Sequence, residues 1–541
     1  MKASTVVHRF AVIWLTIRVH LEAFQRNPGP YLTATKWFLL RKRLRARGQF
    51  APLLAQTSYA YEWWALRQPT VTTPSSVAAP QISALIVGDP EAPGFDKTLS
   101  SLAAEGIVAY PVGRDPGSAI ERIAGLIDWA AEPWLLPVFP GDRLASGAAQ
   151  AYRSQMGDPR VAAIFADDDL EGPLSTRTAP HFKPDWNREL FLHFDYLTGA
   201  SVLRVGRESL IMAGQSGSEW AHALVASSIA GGGNVVHLPQ ILHHRRRRPS
   251  ARLPLAALPI APVLPRISAI IPTRNQVELL TTCVAGLIAA DYPDIEVIVV
   301  DNDSDDPATL AFLSTLSERS SPGRLFRVLR IPGPFNYSAI NNRAVAEASG
   351  ALLCLLNNDI EMLASDWLAV MATQALRDDV GAVGAQLLYP DGKLQHAGVV
   401  IGVGNAAGHA HRFLRPEDEG YFHRHALPQF VSAVTAACLV VRRERFLEVG
   451  GFDESAFKVA FNDVDLCLKL NARGWQSLYE PRAVLLHHES VSRGFDRDPV
   501  GAARFASELA ELQRRWRTAE IFDPYHHPQL SRASEQFALA L

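Results

Sequence analysis

Apolar runs that stop abruptly at polar clusters organise the second half of this chain. Residues 351–356 are six apolar or small residues in a row, too few for a typical helix, and read as a strand buried on both faces. The run ends at Asn357, Asn358 and Asp359, with Glu361 two residues on. An unpartnered carboxylate is costly to bury, so this cluster belongs at the strand end, facing water or a ligand. In an open α/β sheet, ligands bind at the carboxyl ends of the strands. Asn and Asp oxygens there suit a hard divalent cation, Mg²⁺ or Mn²⁺, although the same residues are ordinary turn formers.

The same pattern recurs upstream. Residues 267–271 form a strand ended by Pro272, Thr273, Arg274 and Asn275, and Leu279, Leu280, Val284, Leu287 and Ile288 follow with helical spacing. Residues 295–300 form the next strand, ended by a cluster from Asp301 to Asp306. Strand, helix, strand predicts a parallel βαβ unit, with both polar clusters at one edge of the sheet. After Phe335, Asn336 and Tyr337, a helix over 338–348 leads to the strand at 351, so three strand ends converge on one crevice.

The first half is a weaker version of this arrangement. Residues 1 to about 70 read as helical and mix aromatics with cations, as in Trp37-Phe38-Leu39-Leu40 before the basic run 41–47. Docking on an anionic membrane and packing on the next domain both account for them, and packing is the reading taken. Prolines at 69–80 and 254–265 mark two linkers. Between them, 82–87, 134–139 and 161–165 read as strands, and Arg245–Arg248 reads as a solvated charge cluster, with anion binding as the alternative. Gly232 to His244 and Gly474 to His488 both run glycine, strand, proline, strand, paired histidines, which predicts two copies of one domain type.

At 541 residues the chain is too long for one ordinary core. A formal charge of −2 gives no global case for nucleic acid. Four scattered cysteines fit buried thiols in a reducing compartment, and no uncharged segment reaches membrane-spanning length. The expected location is therefore the cytoplasm, with peripheral contact at the inner membrane as a variant of it.

Taken together, residues 267 to about 495 resemble a family 2 glycosyltransferase of the GT-A fold, in particular the rhamnosyltransferase-like members that build bacterial surface polysaccharides. The segments that carry the resemblance are Pro272-Thr273-Arg274-Asn275, Asp301-Asn302-Asp303-Ser304, Phe335-Asn336-Tyr337-Ser338, Asn357-Asn358-Asp359, Thr435-Ala436-Ala437-Cys438, Gly450-Gly451-Phe452-Asp453-Glu454, Asn462-Asp463-Val464-Asp465 and His487-His488-Glu489-Ser490. The resemblance implies a Rossmann-like α/β domain, here in two tandem copies, behind an N-terminal helical segment. It divides the chain into a helical segment and linker at 1–79 and a degenerate copy at 80–250. A linker at 251–265, a catalytic domain at 266–500 and a helical tail at 501–541 complete the division.

The resemblance also assigns roles. Pro272, Thr273, Asn275, Asp301, Ser304, Asn336, Asn342 and Asn358 would bind the nucleotide-sugar donor. Asp359 and His487 would hold Mn²⁺ or Mg²⁺, with His488 as the substitute for His487. Asp463 would take the proton from an acceptor hydroxyl, although N-terminal capping of a helix also explains Asn462 and Asp463. Asp465 would orient neighbours or bind acceptor. The implied activity is inverting, metal-dependent transfer of a sugar to a saccharide or lipid-linked saccharide acceptor.

In the first copy, Phe139-Pro140-Gly141-Asp142 stands for the metal motif and Trp220 falls at the expected base. That copy is expected to pack or bind acceptor, and Asp167-Asp168-Asp169 is a poor substitute metal site. Trp367, Phe413, Phe430 and Trp475 are candidates for stacking on sugars, with core packing the commoner fate. The segment 402–428, with His409, His411, His423 and His425, reads as an acceptor-side loop without a zinc spacing. The competing readings are a non-catalytic carbohydrate-binding or scaffold protein and a hydrolase using Asp359 with Asp463.

Overall fold

A computed structural model describes residues 2–68, 80–172, 176–488 and 499–541, with side chains from residue 8 onward. Nearly all of the first expected linker, and Glu489 and Ser490 of the last motif, lie outside the described residues.

Four helices open the chain: α1 (Lys2–Arg26), α2 (Pro28–Leu39), α3 (Arg43–Ala55) and α4 (Ala60–Leu66). Pro28 begins α2, where its missing N–H removes no helical bond. Leu15, Val19 and Ala23, each four residues apart on α1, pack with Leu54 and Trp63. One face of α1 therefore packs against the other N-terminal helices, and the expected packing on the next domain is made by α4, whose Tyr61 and Trp64 cluster with Phe182. Among the described residues, no helix is long and apolar enough to cross a membrane.

The first sheet contains β1 (Ile82–Ile86), β2 (Val108–Pro111), β3 (Trp134–Val138), β4 (Arg143–Leu144), β5 (Val161–Glu171), β6 (Arg177–His181), β7 (Ser201–Arg204) and β8 (Asn234–Arg245). The second half contains β9 (Ile267–Thr273), β10 (Ile295–Asp301), β11 (Arg324–Arg330), β12 (Leu352–Leu356), β13 (Ile360–Met362), β14 (Val380–Leu388) and β15 (Leu394–His396). It continues with β16 (Val399–Ile401), β17 (Ala407–His409), β18 (Gln429–Val431), β19 (Cys438–Arg442) and β20 (Gln476–His487). All but β16 and β17, which pair with each other, join the second sheet.

The two sheets are one topology drawn twice. The first runs β2-β1-β3-β7-β5-β8-β4, and the second runs β10-β9-β12-β19-β14-β20-β13, with β11 added at the edge. Every corresponding pair keeps its sense. β1 lies parallel to β2 and β3, as β9 does to β10 and β12. β7 is antiparallel to β3 and β5, as β19 is to β12 and β14. β8 runs parallel to β5 and antiparallel to β4, as β20 does to β14 and β13. Of the branch strands, β6 on β5 matches β15 on β14, whereas β18 on β20 has no counterpart among the described strands of the first sheet.

Each central strand feeds two cores. On β12, Leu352, Cys354 and Leu356 face one layer, and Leu353 and Leu355 face the other. This alternation explains why the run is apolar throughout: both faces are covered by helices. The segment 251–265 is irregular and lies across both halves, with Leu255 against the first core and Leu258 and Leu264 against the second. Asn187 joins the halves through Phe430, donating to its carbonyl at 2.8 Å and accepting its N–H at 3.2 Å.

The expected helical tail is corrected beyond Trp516. A helix spans Pro499–Trp516, and the rest is irregular. Pro524 and Pro528 withhold two N–H donors there, and the tail bonds to its surroundings instead. Asp523 accepts from the Ile401 N–H at 2.6 Å, Trp64 donates to Gln529 at 3.1 Å, and Phe537 stacks on His411.

Candidate active site

Asp359 follows β12, and His487 ends β20. The antiparallel pairing of β13 with β20 sets Ile360 opposite His487, bringing the two candidate ligands together. Asp359 Oδ1 lies 3.1 Å from His487 Nε2, both side chains are buried, and this oxygen has no hydrogen-bond partner. His487 Nδ1 lies 2.6 Å from Gln395 Oε1. An amide oxygen accepts, so Nδ1 carries the ring proton and Nε2 turns a lone pair toward the carboxylate. Asn357 Nδ2 is 3.5 Å from Nε2, at the far limit of a hydrogen bond. Two lone pairs facing each other in a buried site fit two ligands of one divalent cation. His488 turns away, with Nε2 2.9 Å from Glu361 Oε2.

The ends of β9 and β10 meet as a second polar edge. Asn275 donates its backbone N–H to Ser304 Oγ at 2.9 Å, and Ser304 donates its own to Asp301 Oδ1 at 3.1 Å. Asn275 Oδ1 accepts the N–H groups of Asp305 and Asp306, both at 3.0 Å. Asn358 donates to Thr273 Oγ1 at 3.0 Å and so ties this edge to the Asp359 turn. Pro272 is buried within β9, beside Thr273. Asn336 and Asn342 stand apart from this edge and hold the 452–454 segment. Asn336 donates to the Glu454 carbonyl, and Asn342 bonds the Phe452 backbone in both directions.

Asp463 lies in the first turn of the helix Asn462–Ala472, half-buried, where the helix dipole favours its charge. Its Oδ2 accepts the Ala436 N–H at 3.1 Å, and the Ala436 carbonyl accepts from Tyr337 OH, also at 3.1 Å. The next residue, Ala437, accepts the Asn357 N–H at 2.9 Å. Two backbone residues thus couple the candidate base to the candidate metal turn. Asp465 has a different environment. It is fully buried between Arg515 (3.0 Å), Lys469 (3.1 Å) and the Trp516 indole N–H (2.9 Å), which makes it an anchor for the last helix.

Among the stacking candidates, Trp367 and Phe430 are core residues, and Trp475 packs under Arg445. Phe413 remains exposed, on the rims of two clefts of about 770 and 590 Å³ between the N-terminal helices, the 402–428 segment and the tail. The loop histidines are engaged one by one: His409 with the Gln395 carbonyl, His411 with Phe537, and His425 with the Pro416 carbonyl. Sequence reasoning missed Gln395, which positions His487 without belonging to any motif, and gave no role to Tyr337, whose hydroxyl bonds the Ala436 carbonyl from within the Phe335–Ser338 segment.

In the first copy, Arg143 pairs with His244 as Ile360 pairs with His487. Asp142 therefore stands at the place of Asp359. His244, not His243, stands at that of His487, one residue off the sequence echo. There a guanidinium takes the cation's part: Arg245 Nε lies 3.4 Å from Asp142 Oδ2. Burial pushes the Asp142 carboxyl up to about 6, against the pull of Arg245. The arginine run is thus only half a solvated cluster. Arg246 and Arg247 are exposed, whereas Arg245 is buried and Arg248 half-buried against Asp168, which also meets Lys183 at 2.8 Å. These cations hold Asp168 well below the usual carboxylate range in spite of its burial.

Asp167, His237 and His527 also cluster like metal ligands. However, His527 Nδ1 accepts the Gln529 N–H at 3.0 Å, so its proton lies on Nε2, toward Asp167 2.9 Å away. That proton leaves His527 Nε2 no lone pair to offer a cation. Trp220, at the position expected for a base, is buried at the start of its helix.

Residues 268–449 match the family model described as glycosyl transferase family 2. The chain is 38% identical over 425 residues to the uncharacterized protein y4gI of Sinorhizobium fredii, covering 71% of this chain and 46% of that one. It is 36% identical over 426 residues to the O-antigen biosynthesis protein RfbC of Myxococcus xanthus, covering 71% and 32%. The chain thus spans less than half the length of either relative. Among solved structures, the mannosyltransferase PcManGT from Pyrobaculum calidifontis, in complex with GDP-Man and Mn²⁺, aligns at 20% identity and a TM-score of 0.37, covering 51% of this chain and 70% of that one. Residues 268–449, in the second α/β unit, form a glycosyl transferase family 2 domain.

Proposed function

We propose that the second unit is an inverting glycosyltransferase that moves a sugar from a nucleoside-diphosphate donor to a saccharide acceptor. The relative named for O-antigen biosynthesis supports surface polysaccharide as the product class. The observation that carries the reading is the Asp359–His487 pair of facing lone pairs, coupled through Ala436 and Ala437 to Asp463.

In this reading, the β9 and β10 edge, with Thr273, Asn275, Asp301 and Ser304, binds the nucleoside. Asp359 and His487 hold the divalent cation, and the imidazole nitrogen favours Mn²⁺ over the all-oxygen preference of Mg²⁺. When bound, that cation supplies charge neutralisation of the departing diphosphate. Asp463 accepts the proton of the acceptor hydroxyl on a carboxylate oxygen as that hydroxyl forms its bond to the anomeric carbon. The bond from that carbon to the diphosphate breaks on the opposite face, so one displacement inverts the centre. The acceptor approaches over the 402–428 segment, where Phe413 offers an exposed ring.

The test is thermal unfolding with UDP, dTDP or GDP, each with and without Mn²⁺, on the wild type and Asp359→Ala. A ligand that binds the folded state raises the melting temperature. The expected result is a Mn²⁺-dependent rise with one nucleotide, absent from the variant. No rise with any nucleotide in the wild type favours a carbohydrate-binding or scaffold protein.

A further inference from the structure

The helix α1 has two apolar faces, and the fold covers one. Leu15, Val19 and Ala23 point into the N-terminal core. Phe10, Ile13, Trp14, Ile17, Leu21 and Phe24 recur at helical spacing within an arc of about 100° on the opposite side. All six are exposed, Phe10 at 69% and Ile17 at 61%. Single exposed hydrophobics are ordinary, but six on one helix face form a contiguous patch that marks an interaction surface. At the corner between α2 and α3, Phe38, Leu39 and Leu40 are exposed as well, Leu39 at 74%, and Arg41, Lys42 and Arg43 follow them.

Charge identifies the occupant. Residues 1–50 contain ten lysines and arginines against a single acid, Glu22. The whole chain has a formal charge of −2, so the remainder is acidic. Glu22 is itself engaged, by Arg26 and by the Ser58 backbone and hydroxyl. Trp14 lies under Arg18, with the guanidinium 4.9 Å from the ring centroid, and Trp37 lies under Arg45 at 4.5 Å. Aliphatic and aromatic side chains beside cations match the layered chemistry of a bilayer surface, where rings and aliphatics enter the acyl boundary and cations meet anionic headgroups.

We propose that α1, together with the basic corner after α2, docks this protein on an anionic lipid surface, with the axis of α1 lying in the interface. The cleft between α3 and the 402–428 segment, lined by Arg45 and Arg412, joins this surface to the acceptor side of the second unit. Docking therefore sets the catalytic unit beside acceptors carried in the membrane. That consequence rests on the transferase reading, whereas docking itself does not.

The test is co-sedimentation of the full chain with vesicles of phosphatidylcholine alone or mixed with phosphatidylglycerol, at low and high salt. The wild type is expected to partition onto the mixed vesicles, less so in high salt. Ile13→Asp with Ile17→Asp, and separately Arg41→Glu with Lys42→Glu and Arg43→Glu, should each lower that partitioning by roughly tenfold or more. These side chains are solvent-exposed, so both variants should keep the wild-type melting temperature, and light scattering should report one mass for all three proteins. A wild type that stays in the supernatant with mixed vesicles overturns the proposal. So does an Ile13→Asp, Ile17→Asp variant that binds as the wild type does. A wild-type dimer that this variant dissolves would assign the face to a second copy of the chain instead. None of these readouts involves sugar transfer, so a failure here is distinguishable from a failure of the transferase reading.

Discussion

The Asp359 carboxylate and the His487 imidazole face each other across 3.1 Å, with the ring proton turned away toward Gln395. This relationship depends on three separate parts of the chain: the end of β12, the end of β20, and β15, which carries Gln395. An imidazole that donated through Nε2 instead would present no lone pair to a cation.

Gln395 should therefore matter without touching any ligand. Gln395→Leu removes the acceptor that fixes the His487 tautomer, and Mn²⁺ affinity is expected to fall roughly 10- to 100-fold. Calorimetric titration with Mn²⁺ in the presence of the preferred nucleotide measures this directly. Unchanged Mn²⁺ affinity would show that the tautomer has no role.

Asp463 is expected to act in turnover and not in folding. Asp463→Asn keeps the side-chain oxygen that accepts the Ala436 N–H but cannot take a proton. Its kcat should fall by about 10²- to 10⁴-fold, while the melting temperature and donor KM stay near wild type. An unchanged kcat would leave Asp463 with its backbone contacts to Ala436 and Val464 alone.

Three strands of the second sheet were legible because each is an apolar run closed by a polar cluster, and residues 267–271, 295–300 and 351–356 became β9, β10 and β12 with ends shifted by at most two residues. The duplication was legible from two glycine-to-histidine segments, and the strand orders repeat throughout. What could not be read was pairing across long separations. Arg245 and Arg248 look solvated in sequence, since nothing local reveals that β5 brings Asp168 beneath them. Gln395 gave no signal either, because a neutral amide on a short strand has no period and no charge. Asp465, expected to orient neighbours or bind acceptor, proves to be an anchor because the tail helix, whose role was unread, places Arg515 and Trp516 against it.

Asp465 accordingly divides from Asp463 by experiment. Asp465→Asn removes a fully buried charge that serves Arg515, Lys469 and Trp516. Removing this acceptor from a buried site costs about 1–3 kcal/mol, which chemical denaturation should report as a lower midpoint. The Arg515 guanidinium keeps Asp453 as a partner at 2.7 Å, so the last helix should loosen without detaching. A stability equal to wild type would refute the anchoring role.

His237 gives the seam between the first unit and the tail a pH dependence. Burial lowers its pKa, but the charge of Asp167 and hydrogen bonds to Asp167 and Asp185 outweigh burial and raise it above the ordinary 6.5. His527 is the other titratable ring at this seam, packed edge-on against His237 and 2.9 Å from Asp167. A histidine whose folded pKa is raised contributes stability that is fully present below its unfolded pKa. That contribution is lost as pH rises through the folded value. Melting temperature should therefore decline from pH 6.5 upward, and His237→Gln should decline less steeply over the same range because it has no proton to lose. Parallel melting curves from pH 6 to pH 9 for the two proteins would show that His237 is neutral in the folded state, and the Asp167 pairing would then rest on His527 alone.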